Sequence, residues 1–361
     1  PYKQFKSDPA RLAFLVWVEF CVYSGQIECS GRVLQTLIGR YIFKETLMTY
    51  LAKFRKEKGF DKKLNLSNIQ VALECASEAN KISFDYIAYI DNQTEKDAFI
   101  VHTHLNLIGR VYEQIEGMLS CIVTKSFTSA EALARVVQES SINLMYMALH
   151  GDERTITAYM AKWYDEHIRK LNEWKVEVST KDYASQIIPL IDGRINAIST
   201  YANYVDLAKT NFSVESSEYN DLWWNSLFKR FEKLGKTGDY FSIYHRLSGS
   251  SHMTAEDTIL HMMTLQYPLK ARQLIAFEAC SYSIMMSRIV TSTFVEAVSY
   301  CCIRHNMIDD ASLSKFKKLL VRLAESTKDI ANDAGIPSAN EEESKERFNE
   351  LQNRLGIFLD K

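Results

Sequence analysis

Only 13 glycines and 5 prolines interrupt the 361 residues of this chain. Sheet-rich folds need many tight turns, and tight turns draw on these two residues. A chain so poor in both is built from long helices and few loops. The apolar pattern agrees: Phe99, Leu105, Ile108, Tyr112, Ile115 and Leu119 recur at helical spacing, and no segment sustains strand alternation. We therefore expect an all-α protein, a multi-helix bundle in three parts. An N-terminal helical region covers 1–93, a core helical bundle 94–306, and a C-terminal helical tail 307–361.

Helix signals mark out the elements. Asp8 and Pro9 suit the cap and first position of a helix to about Tyr23, and a second runs from about Glu28 to Lys58, where Gly59 stops it. Further helices are expected over 65–90 and 95–125. Thr128 and Glu131 have the spacing of a capping box, opening a helix through Leu149 that Gly151 ends. Asp152 begins another, to about Lys175. The stretch from Asp182 to Lys209 continues in the same style, with Pro189 as a boundary or kink. Asn220 to Leu234 carries Trp223 and Trp224 and is bounded by the turn Gly235-Lys236-Thr237-Gly238, after which Asp239 caps a helix. A short helix precedes Pro268. From Leu269 to Cys302 a long apolar helix, with Ala271, Ala276, Ala279, Ser283 and Ser287 interleaved, suits the centre of a bundle. Two polar helices divided by Gly335-Ile336-Pro337 form the tail.

Composition narrows the function classes. Hydrophobic residues make up 47% and charged ones 24%, an ordinary globular balance, and the net charge of −2 gives no basic excess for non-specific nucleic-acid binding. The seven scattered cysteines suit buried free thiols in a reducing cytoplasm better than a disulfide framework. No secretory pattern opens the sequence, and no apolar run reaches the roughly 18 residues of a membrane span. We expect a cytoplasmic protein with no membrane association. Neither a Walker loop nor GxGxxG occurs, and CxxC, HExxH and ExxH are missing, so no cofactor and no metal is expected. The pair His102-x-His104 has a spacing that sends its rings to different sides of a helix.

Two polar constellations stand out against the apolar pattern. Tyr244, Ser248 and His252 lie at i, i+4 and i+8, which aligns a phenol, a hydroxyl and an imidazole on one helical face. The poor helix formers Gly249, Ser250 and Ser251 offer a place for the helix to break and expose His252. The second constellation, Arg135, Glu139 and Asn143, has the same spacing on an otherwise apolar helix. A buried Arg–Glu pair needs partners, and the His252 stripe is a natural one. Each constellation also has a structural reading, as a hydrogen-bond network that fixes helix register and as an internal ion pair. The aromatics around Trp163, Trp174, Trp223 and Trp224 read as core or interface, and Met285-Met286 as core or an oligomer seam.

The order Ala134-Arg135…Glu139, then Gly151-Asp152, then Tyr244-x3-Ser248-x3-His252 resembles a widespread uncharacterised bacterial family, over roughly residues 95 to 305. Met253-Thr254 depart from it, following the histidine where Pro-Ser or Gly-Ser is common. The resemblance implies a helical fold and a polar site. Arg246-x5-His252 is in turn similar to the Arg…His motif of ribonucleases in the higher eukaryotes and prokaryotes nucleotide-binding superfamily, HEPN. That likeness implies a metal-independent ribonuclease of the defence or toxin type, acting on RNA or a nucleotide. His252 would be the general acid/base and Arg246 would stabilise the phosphate, a fitting division since imidazole titrates near neutrality and guanidinium stays charged. Tyr244, Ser248, Arg135 and Glu139 would contact or orient substrate, and the site would be completed across a homo-oligomer. The alternative is a non-catalytic helical module that senses or binds a partner protein, its Tyr/Ser/His stripe structural.

Overall fold

Every element formed by the described residues is helical. The computed structural model describes residues 64–87, 95–223, 226–251, 255–267, 269–307 and 309–334, with single positions at 342, 346 and 349. The chain divides into two units, Pro1–Lys58 and Gly59–Lys361, and all described residues belong to the second. The helices expected over 8–23 and 28–58, the break at Gly335-Ile336-Pro337, and Trp224 and Pro268 lie outside the described residues.

Five helices make the main bundle: α1 (Leu64–Ile87), α2 (Glu95–Val123), α3 (Phe127–His150), α12 (Leu269–Arg304) and α13 (Asp310–Ala334). α12 packs on the other four. From Ser281 to Cys302 it is buried or half-buried on every side, as a central helix requires, and the two charges within it are paired, Arg288 with the Ser326 carbonyl and Glu296 with Lys236. Phe294, Val290, Val298, Cys301 and Cys302 are fully buried there, against Ile108, Ile115 and Met118 of α2 and Val137, Leu144 and Met145 of α3. Met286 is core and Met285 packs against it.

A second layer follows α3 in the chain. α4 (Glu153–Ser179) is capped as expected: the Asp152 carboxylate accepts from the Thr155 amide at 2.8 Å and its hydroxyl at 2.9 Å. α4 packs on α5 (Ala184–Ser199) and α6 (Ala202–Asn211). Leu171, Val178, Ile191 and Ile198 form a small core of their own between α4 and α5. The chain returns through a 3-10 turn, Ser216–Glu218, and two short helices, α7 (Tyr219–Leu222) and α8 (Leu227–Lys233).

Some helix signals act differently from expectation. The break in 182–209 falls at Thr200–Tyr201, and Pro189 lies inside α5. The carbonyl it leaves without a helical donor belongs to Ser185, which is exposed, so water can serve it. The stretch Asn220–Leu234, whose helix count the sequence leaves open, holds two helices, because Trp223 adopts extended backbone and turns its ring into the core. Ser126, rather than Thr128, takes the N-cap position of α3. Glu131, expected to close the capping box, instead accepts a hydrogen bond from the Ser283 hydroxyl of α12. Asp239 does not cap a helix either; it pairs with Lys236 at 3.6 Å. Gly151 does end α3, though with extended backbone (φ −79°). Glycine is needed there because a Cβ would collide with the Met147 carbonyl oxygen.

Candidate functional site

One face of α3 carries a polar seam. Glu131, Arg135, Glu139 and Asn143 follow one another at four-residue steps, and all four are half-buried. The opposite face packs into the bundle through Ala130, Ala134, Val137, Leu144, Met145 and Ala148. The spacing in the sequence thus marks a true stripe, and it is one residue longer than Arg135, Glu139 and Asn143 alone.

A π-helical turn and the helix after it pack over the seam. α9 (Thr237–Asp239) passes through a π-helical turn, Tyr240–His245, into α10 (Arg246–Ser251). Ile243 and Leu247, four residues apart, anchor this segment in the main core. That anchoring turns the neighbouring Tyr244 toward α3 and leaves His245 and Arg246 exposed. π-helical turns in an α-helix occur often at functional sites, and here the turn contains Tyr244. The helix does not break at Gly249 or Ser250; it runs through Ser251.

Arg135 and Glu139 do meet the predicted stripe, through Tyr244. The Arg135 guanidinium donates to the Tyr244 hydroxyl at 3.0 Å, and that hydroxyl donates to the Glu139 carboxylate at 3.2 Å. The guanidinium carbon also lies 4.9 Å from the centre of the Tyr244 ring. Cation, phenol and carboxylate form a directional chain in which each hydrogen bond polarises the next. Burial raises the Tyr244 pKa above that of an ordinary phenol; the Arg135 hydrogen bond works against this, and the Glu139 charge adds to it. The hydroxyl therefore keeps its proton and its two partners.

At the C-terminal end of the seam stands Arg230 of α8, a buried cation that the sequence analysis missed. It donates to the Asn143 side-chain oxygen, and its guanidinium lies 4.3 Å from the centre of the Trp223 ring. Trp223 packs edge-on against Tyr146 and Tyr159. Burial lowers the Arg230 pKa, while Glu139 and the surrounding phenols pull it back up. Arginine tolerates such a place because its flat guanidinium is weakly hydrated and stacks on aromatic faces. Its short helix, framed by Phe228 and Phe231, gives little periodicity to read.

The N-terminal end of the seam belongs to Arg246. Its guanidinium lies 4.9 Å from the centre of the Tyr282 ring of α12, and the residue is exposed. Burial raises the Tyr282 pKa and the Arg246 charge lowers it; the nearby Glu131 raises it again. Ser248 is half-buried one turn beyond Tyr244, and His252 lies outside the described residues.

His102 and His104 part company, as their spacing requires. His102 is exposed, and His104 is fully buried with Nδ1 3.0 Å from Nε2 of His305. Burial first, then the His305 and Arg304 charges, lower the His104 pKa to about 3. Among the described residues no group of three or more His, Cys, Asp or Glu side chains is placed to hold a metal ion, and no helix is long and apolar enough to cross a membrane.

Neither a curated protein nor a solved structure matches the chain. Residues 101–266, from α2 to just past the helix that follows α10, match the model of a Family of unknown function (DUF5677), and this stretch holds all six of the predicted site residues.

Proposed function

We propose that the chain is an RNA- or nucleotide-directed, metal-independent enzyme of the defence or toxin type whose working residues lie between Tyr244 and His252. The observation that supports this reading is Arg246. It is an exposed cation whose plane is steadied by the Tyr282 ring, six residues from the imidazole of His252. Stacking reduces the entropy lost when the guanidinium grips a phosphate, and leaves its planar fork of donors available. In RNA cleavage the 2′-oxygen forms a bond to phosphorus while the bond to the 5′-oxygen breaks. One proton leaves the 2′-hydroxyl and one is delivered to the 5′-oxygen, giving a 2′,3′-cyclic phosphate and a 5′-hydroxyl. His252 serves this proton traffic, and Arg246 offsets the charge that grows on the phosphorane. Tyr244 is committed to Arg135 and Glu139, so these three position the segment. Ser248, half-buried on the same side, is the hydroxyl available to orient substrate. The five cysteines among the described residues are free thiols, which suits action in a reducing cytoplasm.

The engagement of Tyr244 also favours a second reading, in which the seam is purely structural and the chain binds a partner protein. Incubation of mixed-sequence single-stranded RNA with purified protein in excess chelator separates the two. The enzymatic reading expects cleavage by wild type, with 2′,3′-cyclic phosphate ends, and its loss in His252→Ala. Intact RNA with wild type, or cleavage indifferent to His252→Ala, would leave the binding module as the account.

A further inference from the structure

The polar seam ends at Arg246 and Tyr282, and beyond that point the chain leaves the bundle. α11 (Ala255–Thr264) and the first third of α12 form an arm on which nearly every described side chain is exposed. Its surface is apolar. On α11, Ile259, Leu260, Met262 and Met263 are between 47 and 58% exposed, and their spacing places them on one broad face of the helix. Leu265 and Tyr267 in the connecting turn are also exposed, and so are Leu269 and Phe277 of α12. The arm is held in shape by Arg272, which donates to the carbonyls of Tyr267 at 2.8 Å and Leu265 at 2.5 Å.

Apolar surface of this kind is rarely left to water. At roughly 200 Å² per large side chain, the exposed fractions of these eight residues amount to about 800 Å², which is what each partner buries in a stable protein–protein interface. The chemistry speaks against a lipid surface. Helices that lie on membranes carry an excess of lysine and arginine beside their apolar face, whereas in the sequence of the arm Lys270 and Arg272 are offset by Glu256, Asp257 and Glu278, and α11 itself has neither cation. Methionines suit a surface that must adapt to a copy of itself, since their unbranched chains repack at low cost.

We infer that the arm is a self-association surface, on which a second copy of this chain docks α11 and the start of α12 against their counterparts. The inference is independent of whether the chain cleaves RNA. Sedimentation velocity of the full chain over a hundredfold range of micromolar concentrations tests it, with melting temperatures on the same samples. Wild type is expected to sediment as a dimer, and its melting temperature to rise with concentration, because dissociation and unfolding are linked. The double variant Ile259→Asp/Met262→Asp is expected to be monomeric, and its melting temperature independent of concentration. Val176→Asp, at an exposed apolar position on α4, is expected to remain dimeric. A monomeric wild type would overturn the inference. So would a dimer that survives the arm variant or is broken by Val176→Asp. If the arm variant melts lower at every concentration while wild type is a monomer, the arm is covered within its own chain.

Discussion

The two faces of α3 are made of the same backbone and held by different physics. On one, Val137, Leu144 and Met145 are sealed in a core shared with α1, α2, α12 and α13. Such contacts are non-directional, scale with buried area, and tolerate exchange of one apolar side chain for another of similar volume. On the other, Glu131, Arg135, Glu139 and Asn143 each meet a polar or aromatic group from a distant segment, respectively Ser283, Tyr244 (twice) and Arg230. These contacts are directional, and leaving one half unpaired costs more than the pair contributes. The core face therefore sets how stable the bundle is. The seam face sets where the segment from Tyr244 to Ser251 sits. Changes on the first should move stability alone, and changes on the second should move stability less and the site more.

Leu144→Ala should give the largest effect, a loss of about 2–5 kcal/mol from the deleted side chain and the cavity it leaves. Urea unfolding would measure it, and a loss below about 1 kcal/mol would mean that the core face is looser than its burial says.

Acid should come next, through His104. Its folded pKa of about 3 lies below the ordinary 6.5, so the unfolded chain takes up a proton across a range where the native state does not. The contribution is complete above pH 6.5 and is lost as the pH falls toward 3. Between pH 7 and pH 5 the loss is on the order of 2 kcal/mol. His305, Arg304 and the Met147 carbonyl are the groups that face the ring. A unfolding midpoint that stays level between pH 7 and 5, or a fall that persists unchanged in His104→Gln, would remove this histidine from the balance.

Tyr244→Phe keeps the ring and deletes the hydroxyl that joins Arg135 to Glu139. We expect it to cost about 1–2 kcal/mol, and to slow any cleavage without abolishing it. In a double-mutant cycle with Arg135→Ala the effects should be non-additive by more than about 0.5 kcal/mol. Strict additivity would show that the three groups do not act together.

The smallest effect is expected at Thr128, which lies past the cap. Thr128→Ala should change stability by less than about 0.5 kcal/mol, whereas a working N-cap would cost about 1 kcal/mol.

How much of this was legible follows the same division. The apolar face of α3, and the helical class as a whole, are periodic and local, so pattern alone reveals them. Asp152 as N-cap and Gly151 as the stop are equally local. The seam was half legible. Its spacing on α3 and the presence of Tyr244 could be read, and the structure does bring Arg135 and Glu139 to that residue. Glu131 was misread because a local signal, the capping box, competed with a contact 152 residues away that no short-range rule reports. Arg230 was invisible for a related reason: its partner Asn143 lies 87 residues back, and its own helix is too short to show a period. The π-helical turn around Tyr244 has no composition of its own that a short-range rule could report.

The most direct test is the rate of RNA cleavage by Arg246→Ala beside wild type, with melting temperatures taken on the same preparations. Arg246 is exposed, and its guanidinium lies over the Tyr282 ring. The account predicts cleavage reduced at least a hundredfold, on the order of 3 kcal/mol of transition-state stabilisation, with a melting temperature within about 2 °C of wild type. Cleavage at the wild-type rate, or a loss matched by a fall of many degrees, would contradict it, and would return the segment from Tyr244 to His252 to a purely structural role.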